Sequence, residues 1–100
     1  MIQSLFNQAL DIHQQGDATG ALELYRQILE QNPQHADSLV LAGIASCQTG
    51  DLDHGIGFLQ RSVTIQPGNI DAQYNLGHAF EATGRFEDAI VPATDLIGGV

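Results

Sequence analysis

Residues 14 to 22 read QQGDATGAL, and nearly the same phrase returns as QTGDLDHGI at residues 48 to 56 and as ATGRFEDAI at residues 82 to 90. Each phrase has a glycine, acids close behind it, and apolar residues resuming. Gly16, Gly50 and Gly84 lie 34 residues apart, and so do Pro33 and Pro67. A fixed period of a few tens of residues is the mark of a repeat architecture, in which one structural unit recurs along the chain.

Units of this length begin at Ile2, Ala36 and Ile70. They place Ala9, Gly43 and Gly77 in one small-residue column and Ala21, Gly55 and Ala89 in another. After the glycine of copy one, apolar residues recur at Ala21, Leu22, Tyr25, Ile28 and Leu29. Before it come Leu5, Ala9 and Ile12. Both patterns have the helical period, not the alternation of a strand. The glycine supplies the left-handed backbone that stops the first helix, and the following acid favours the start of the second. Gln31-Asn32-Pro33 and Gln66-Pro67-Gly68 end the second helices, because proline cannot continue them. Each unit is therefore predicted to be a helical hairpin, spanning 2–35, 36–69 and 70–100 within one domain of residues 1–100. Small residues in the two columns let the paired helices approach, and one hairpin alone cannot bury both faces.

Composition narrows the partners. The chain of 100 residues carries 12 acids against three arginines and no lysine, a net charge of −9, which argues against nucleic acid and anionic membrane. The longest apolar run, residues 39–45, is far shorter than the roughly 20 residues that cross a bilayer. The N-terminal stretch MIQSLFNQALDIH lacks a basic region and a cleavage site, and the single cysteine, Cys47, forms no internal disulfide. The expectation is a cytoplasmic protein without membrane insertion.

The period, the run Tyr74-Asn75-Leu76-Gly77 followed by Phe80, Gly84, Ala89 and Ile90, and the closing Pro33 and Pro67 closely resemble the tetratricopeptide repeat over essentially the whole chain. Gln8 departs from the pattern where the family usually has leucine, and copy two departs at Gly55 and Ser62. The resemblance implies an all-α, right-handed superhelix of about three antiparallel hairpins. The third is less regular: Pro92 removes an N–H from a helix interior, at a cost of about 3 kcal/mol, and Gly98-Gly99 favours an early stop. The last helix is expected to be kinked or frayed. It lacks a polar cap, so self-association through that end, or truncation from a longer polypeptide, are both open.

In this family the first helices line the concave side. Carried over, that face holds Gln3, Phe6, Leu10, His13 and Gln14, then Asp37, Val40, Ile44, Cys47 and Gln48, then Asp71, Tyr74, His78, Glu81 and Ala82. The stripe runs opposite the core stripe, so its apolar members are expected to be free for a peptide, unless flanking helices bury part of them. Asn7 and Asn75, two units apart, resemble the asparagine ladder with which some members grip a peptide backbone. Leu41 interrupts it, and plain solvent-facing asparagines are the alternative. No base occupies the positions of a carboxylate clamp. Asp37, Asp71 and Glu81 instead make the groove acidic, either steering a neutral or basic peptide or simply keeping the domain soluble.

The expected peptide contacts are Phe6, Asn7, Leu10, Val40, Ile44, Tyr74, Asn75, His78 and Glu81. No catalytic, metal or cofactor role is expected. His13, Cys47 and Glu81 share one column, but packed helices sit about 8–10 Å apart while zinc needs its ligands at about 2.0–2.3 Å. His78 and Glu81 fit a local i, i+3 ion pair, and His35 and His54 read as solvated residues near helix starts. The expectation is a protein-interaction scaffold and not an enzyme. The alternatives are the N-terminal repeat region of a larger bacterial glycosyltransferase, sulfotransferase or methyltransferase, or a self-assembling module.

Overall fold

A computed structural model describes residues 2–84 and shows among them five α-helices and no strand. They are α1 (Ile2–Gln14), α2 (Ala18–Gln31), α3 (Ala36–Gln48), α4 (Leu52–Ile65) and α5 (Ile70–Ala82). The expected kink at Pro92, the frayed last helix and the end without a cap lie outside the described residues.

Two kinds of turn alternate. Gly16, Gly50 and Gly84 have φ of +94°, +91° and +77°, the left-handed conformation that only glycine adopts without strain. The aspartate after the first two glycines closes one helix and opens the next. Asp17 donates its N–H to the Ile12 carbonyl at 3.1 Å, while its carboxylate accepts the Gly20 N–H at 2.8 Å. Asp51 repeats both bonds, to the Ser46 carbonyl at 2.8 Å and from the His54 N–H at 3.3 Å. Two sets of orphan backbone groups are thus satisfied by one residue.

The other turns follow the second helices. Asn32 and Gln66 leave the helical conformation, as expected of the segments holding Pro33 and Pro67. His35 and Asn69 then close each turn with N–H bonds to Asn32 and Gln66 at 3.1 and 3.0 Å. The same two residues cap the next helices: His35 Nδ1 accepts the Ser38 N–H and Asn69 Oδ1 the Ala72 N–H. His35 is therefore not the solvated residue the sequence suggests. It is half-buried and meets the Phe6 ring edge-on, whereas His54 is exposed.

Each helix packs on the next in order, and α3 also touches α5. The core falls into two clusters. Ala9, Ala21, Tyr25, Ile28 and Leu29 join Leu39, Ala42 and Ala45 of α3 in one. Val40 of the same helix joins Ile56, Leu59, Ala72, Ala79 and Phe80 in the other. Fully burying a side chain such as Ile28, Leu39 or Leu59 stabilises the fold by about 1.5–3 kcal/mol. Because α3 serves both clusters, the hairpins form an all-α solenoid and not a closed bundle.

The small-residue columns are where paired helices cross. Ala9 and Ala21 are fully buried. At the second crossing a Cβ on Gly43 would stand 2.6 Å from Leu59 Cγ and 3.1 Å from the Gly55 carbonyl oxygen. One on Gly55 would stand 2.9 Å from the Gly43 carbonyl oxygen. Gly57, two residues beyond Gly55 and so on a different side of α4, has nothing within 4 Å of its added Cβ. Gly57→Ala is expected to stabilise the protein by about 0.5–1 kcal/mol through backbone entropy. Gly43→Ala and Gly55→Ala are expected to destabilise it, since overpacking costs about 1–3 kcal/mol. Urea denaturation of the three variants checks this, and stabilisation by all three would rule out the close α3–α4 approach.

Candidate functional site

The first helices α1, α3 and α5 carry the residues expected to meet a peptide. Their surroundings divide those residues into two groups. Phe6 is half-buried, its ring centroid 6.3 Å from Tyr25 and 5.4 Å from His35. Val40 is only 8% exposed within the second core cluster. The expectation that the apolar members of the stripe stand free of packing fails for these two, because the following hairpin covers them. Asn7 is exposed and accepts a hydrogen bond from Gln3 Nε2 at 3.0 Å, and Leu10 is half-buried.

The second group converges. Ile44, Asn75 and His78 line a cleft of about 420 Å³ between α3 and α5. Cys47, Gln48, Leu52, Leu59, Ala79 and Ala82 complete its wall. The floor is apolar and the rim carries amides and an imidazole. Tyr74 is 65% exposed beside the cleft and meets the His78 ring edge-on at 4.5 Å. His78 Nδ1 lies 3.6 Å from Glu81 Oε1, the local pair the spacing implied, with both side chains largely exposed. Leu52, Leu59 and Ala79 were not among the expected contacts. The helical stripe of each first helix gives no sign that α4 supplies part of the floor.

A hydrogen-bond chain also escapes the sequence. His13 Nδ1 lies 3.0 Å from the Tyr25 hydroxyl, and His13 Nε2 lies 2.6 Å from Gln48 Oε1. The amide oxygen only accepts, so Nε2 carries the proton, and Nδ1 accepts from the buried Tyr25 O–H. Both imidazole nitrogens are engaged, which leaves His13 no lone pair for a metal. Among the described residues no group of three or more histidines, cysteines or acids could hold a metal ion, and no helix is long and apolar enough to cross a membrane.

The charges separate by face. Arg26 of α2 stands over the Phe58 ring of α4, 5.5 Å from its centroid, and Arg61 Nη2 donates to the Pro33 carbonyl at 3.2 Å. These two bases fasten neighbouring second helices. Among the described residues no lysine or arginine lines the cleft. Asp37 and Asp71 are exposed and make no ion pair among the described residues. At the turn beside the cleft, the His54 backbone N–H, with the His54 side chain, holds the Asp51 carboxyl below its ordinary range.

Residues 13–62, half of the chain, match a family model described as tetratricopeptide repeat, and residues 70–91 match a second model of the same description. The chain belongs to the tetratricopeptide repeat family, whose members generally act in protein interactions. A mutant of the Thermobaculum terrenum O-GlcNAc transferase superposes with a TM-score of 0.83 at 27% identity, over 90% of this chain and 17% of that one. MamA superposes with a TM-score of 0.83 at 20% identity, over 89% of this chain and 52% of that one. The chain thus spans about one sixth of the transferase and about half of MamA. No curated protein sequence matches it.

Burial pushes the Cys47 thiol above its ordinary range, and the Asp51 charge raises it further. A raised thiol holds less thiolate at a given pH, so alkylation of folded Cys47 near pH 8 should be slower than in the urea-unfolded chain. Asp51→Asn keeps an N-cap residue and removes the charge, and should speed the reaction. Equal rates in folded and unfolded chains, unchanged by the substitution, would contradict this placement of the thiol.

Proposed function

We propose that the chain is a protein-interaction scaffold that holds a neutral or basic peptide segment along the concave face made by α1, α3 and α5. The observation that carries this is the cleft lined by Ile44, Asn75 and His78, an apolar floor with a polar rim and, among the described residues, no lysine or arginine. A few convergent polar groups over an apolar concavity are the usual make-up of a recognition site. The exposed Tyr74 and Glu81 extend it along α5, and Asn7 and Leu10 extend it along α1. The peptide role of these residues rests on this geometry and on family membership together. The scaffold itself carries no chemistry in this proposal and works in the cytoplasm, in keeping with the lack of a membrane-crossing helix among residues 2–84.

A second possibility is that these hairpins are the repeat region of a larger enzyme. The observation favouring it is the 27% identity to a transferase of which the match occupies 17%. An open reading frame continuing far beyond codon 100 supports it, and a stop codon there removes it.

Tyr74 and His78 are exposed and not part of the core, so replacing both by alanine tests the surface without unfolding it. Affinity capture from the source cell should lose its main partner with Tyr74→Ala/His78→Ala, at least tenfold, or about 1.4 kcal/mol. It should keep that partner with Arg61→Ala on the outer helices. The reverse pattern, with helicity preserved in both variants, would place binding on the second helices and overturn the proposal.

A further inference from the structure

Deepening that inner-face proposal, and resting on it, we infer that the α3–α5 cleft is a side-chain socket: it takes one apolar side chain of an extended peptide whose neighbouring residues are basic. Three observations lead there.

Among the described residues, the cleft is the part of the expected face where apolar surface is neither consumed by packing nor isolated. Phe6 and Val40 are packed away, whereas Ile44, Leu52 and Ala82 border a concavity of about 420 Å³. An apolar side chain placed there gains burial without displacing anything from the core.

The two amides on its rim are oriented by the protein itself. Gln48 Oε1 is occupied by the His13 N–H, held in turn by Tyr25, so the Gln48 amide presents N–H donors. Asn75 Nδ2 gives one N–H to the Asp71 carbonyl at 2.8 Å, so the Asn75 amide presents its oxygen together with its second N–H. A donor stands on α3 and an acceptor on α5, and a peptide main chain offers a carbonyl and an N–H to match. These contacts recognise backbone of any sequence, which leaves selectivity to the socket and the charge around it.

The charge is negative. Asp51 is close enough to act on Cys47 in the wall, although His54 and Arg26 act on Asp51 in turn; Glu81 lies 3.6 Å from His78 on the rim, Asp71 sits one turn before Asn75 on α5, and among the described residues no lysine or arginine lines the wall. Cationic residues on either side of the anchor fit this field, and acidic ones are repelled.

The probe is an acetylated, amidated 12-residue peptide with one central leucine and lysines on both sides. Compared with it are a twin with serine for the leucine and another with glutamates for the lysines. The only cysteine of the chain lies in the socket wall, so it serves as the reporter. The leucine–lysine peptide should slow Cys47 alkylation at least fivefold at saturation, and the two twins should not. Ala82→Trp, which fills the socket from an exposed position, should weaken binding at least tenfold with helicity unchanged. Binding that shifts Phe6 and Leu10 resonances but leaves Cys47 unprotected and tolerates Ala82→Trp overturns the socket while sparing the concave-face proposal. Shifts confined to α2 and α4 overturn both. Equal binding of the serine twin, or of the glutamate twin, or none by any of the three, overturns the socket as an apolar, cation-flanked site.

Discussion

The structure depends on one constraint: α3 must be buried on two sides at once. A helix with a single apolar stripe satisfies one neighbour, but α3 packs Leu39, Ala42 and Ala45 against the first hairpin and Val40 into the cluster with α4 and α5. Seven of its 13 residues are buried, which explains why its sequence reads as an almost unbroken apolar run and not as an amphipathic helix. Being squeezed from both sides also dictates size. Gly43, Ser38 and Ser46 sit where larger side chains would separate the layers, and Gly55 on α4 answers Gly43. Ser38, Ser46 and Ser62 are fully buried with hydroxyls that find no partner among the described residues. A buried orphan polar group costs about 1–3 kcal/mol, so close approach of the helices outweighs that loss at three places.

The two turn types convert this packing into a directional ramp. At the glycine turns a single aspartate finishes one helix and starts the next, leaving no slack between the members of a hairpin. At the proline turns an extended residue comes first, and His35 or Asn69 then closes the turn and caps the helix that follows. Short turns of fixed geometry keep α1, α3 and α5 on one side and α2 and α4 on the other. The face shared by α1, α3 and α5 exists because the same two devices recur, not because any residue on it draws the helices together.

What depends on local backbone chemistry was legible in the sequence. The 34-residue spacing of Gly16, Gly50 and Gly84 located the hairpins, since φ near +90° leaves little choice but glycine, and the small columns located the crossings. What depends on the next unit along was not. The stripe through Phe6, Val40 and Tyr74 is one face by period, yet Phe6 is covered by His35 and Val40 by the second cluster, while Tyr74 and Ile70 remain exposed on the last described helix. Periodicity assigns a face; it does not say what lies over it. The Tyr25–His13–Gln48 chain was hidden for a related reason, as its partners sit 12 and 35 residues apart and two of them looked like a core aromatic and a surface amide.

The excess of acid is not explained by ion-pair stability. Exposed ion pairs are worth about 0–1 kcal/mol, and the pairs seen here, Asp51 with His54 and Glu81 with His78, are both exposed. Stability therefore gives little reason for 12 acids. Position is more informative. The two bases among the described residues sit over an aromatic ring and a turn carbonyl on the outer helices, where they bind one hairpin to the next. Asp37 and Asp71 on the first helices make no ion pair among the described residues, while Glu81 faces His78 on the cleft rim and Asp51 faces His54. At physiological salt the field of such charges is screened over about 8 Å, so it acts across the cleft and not across the molecule. The apolar floor and the side-chain amides of Gln48 and Asn75 lie within that reach, so burial, hydrogen bonding and charge act on one surface.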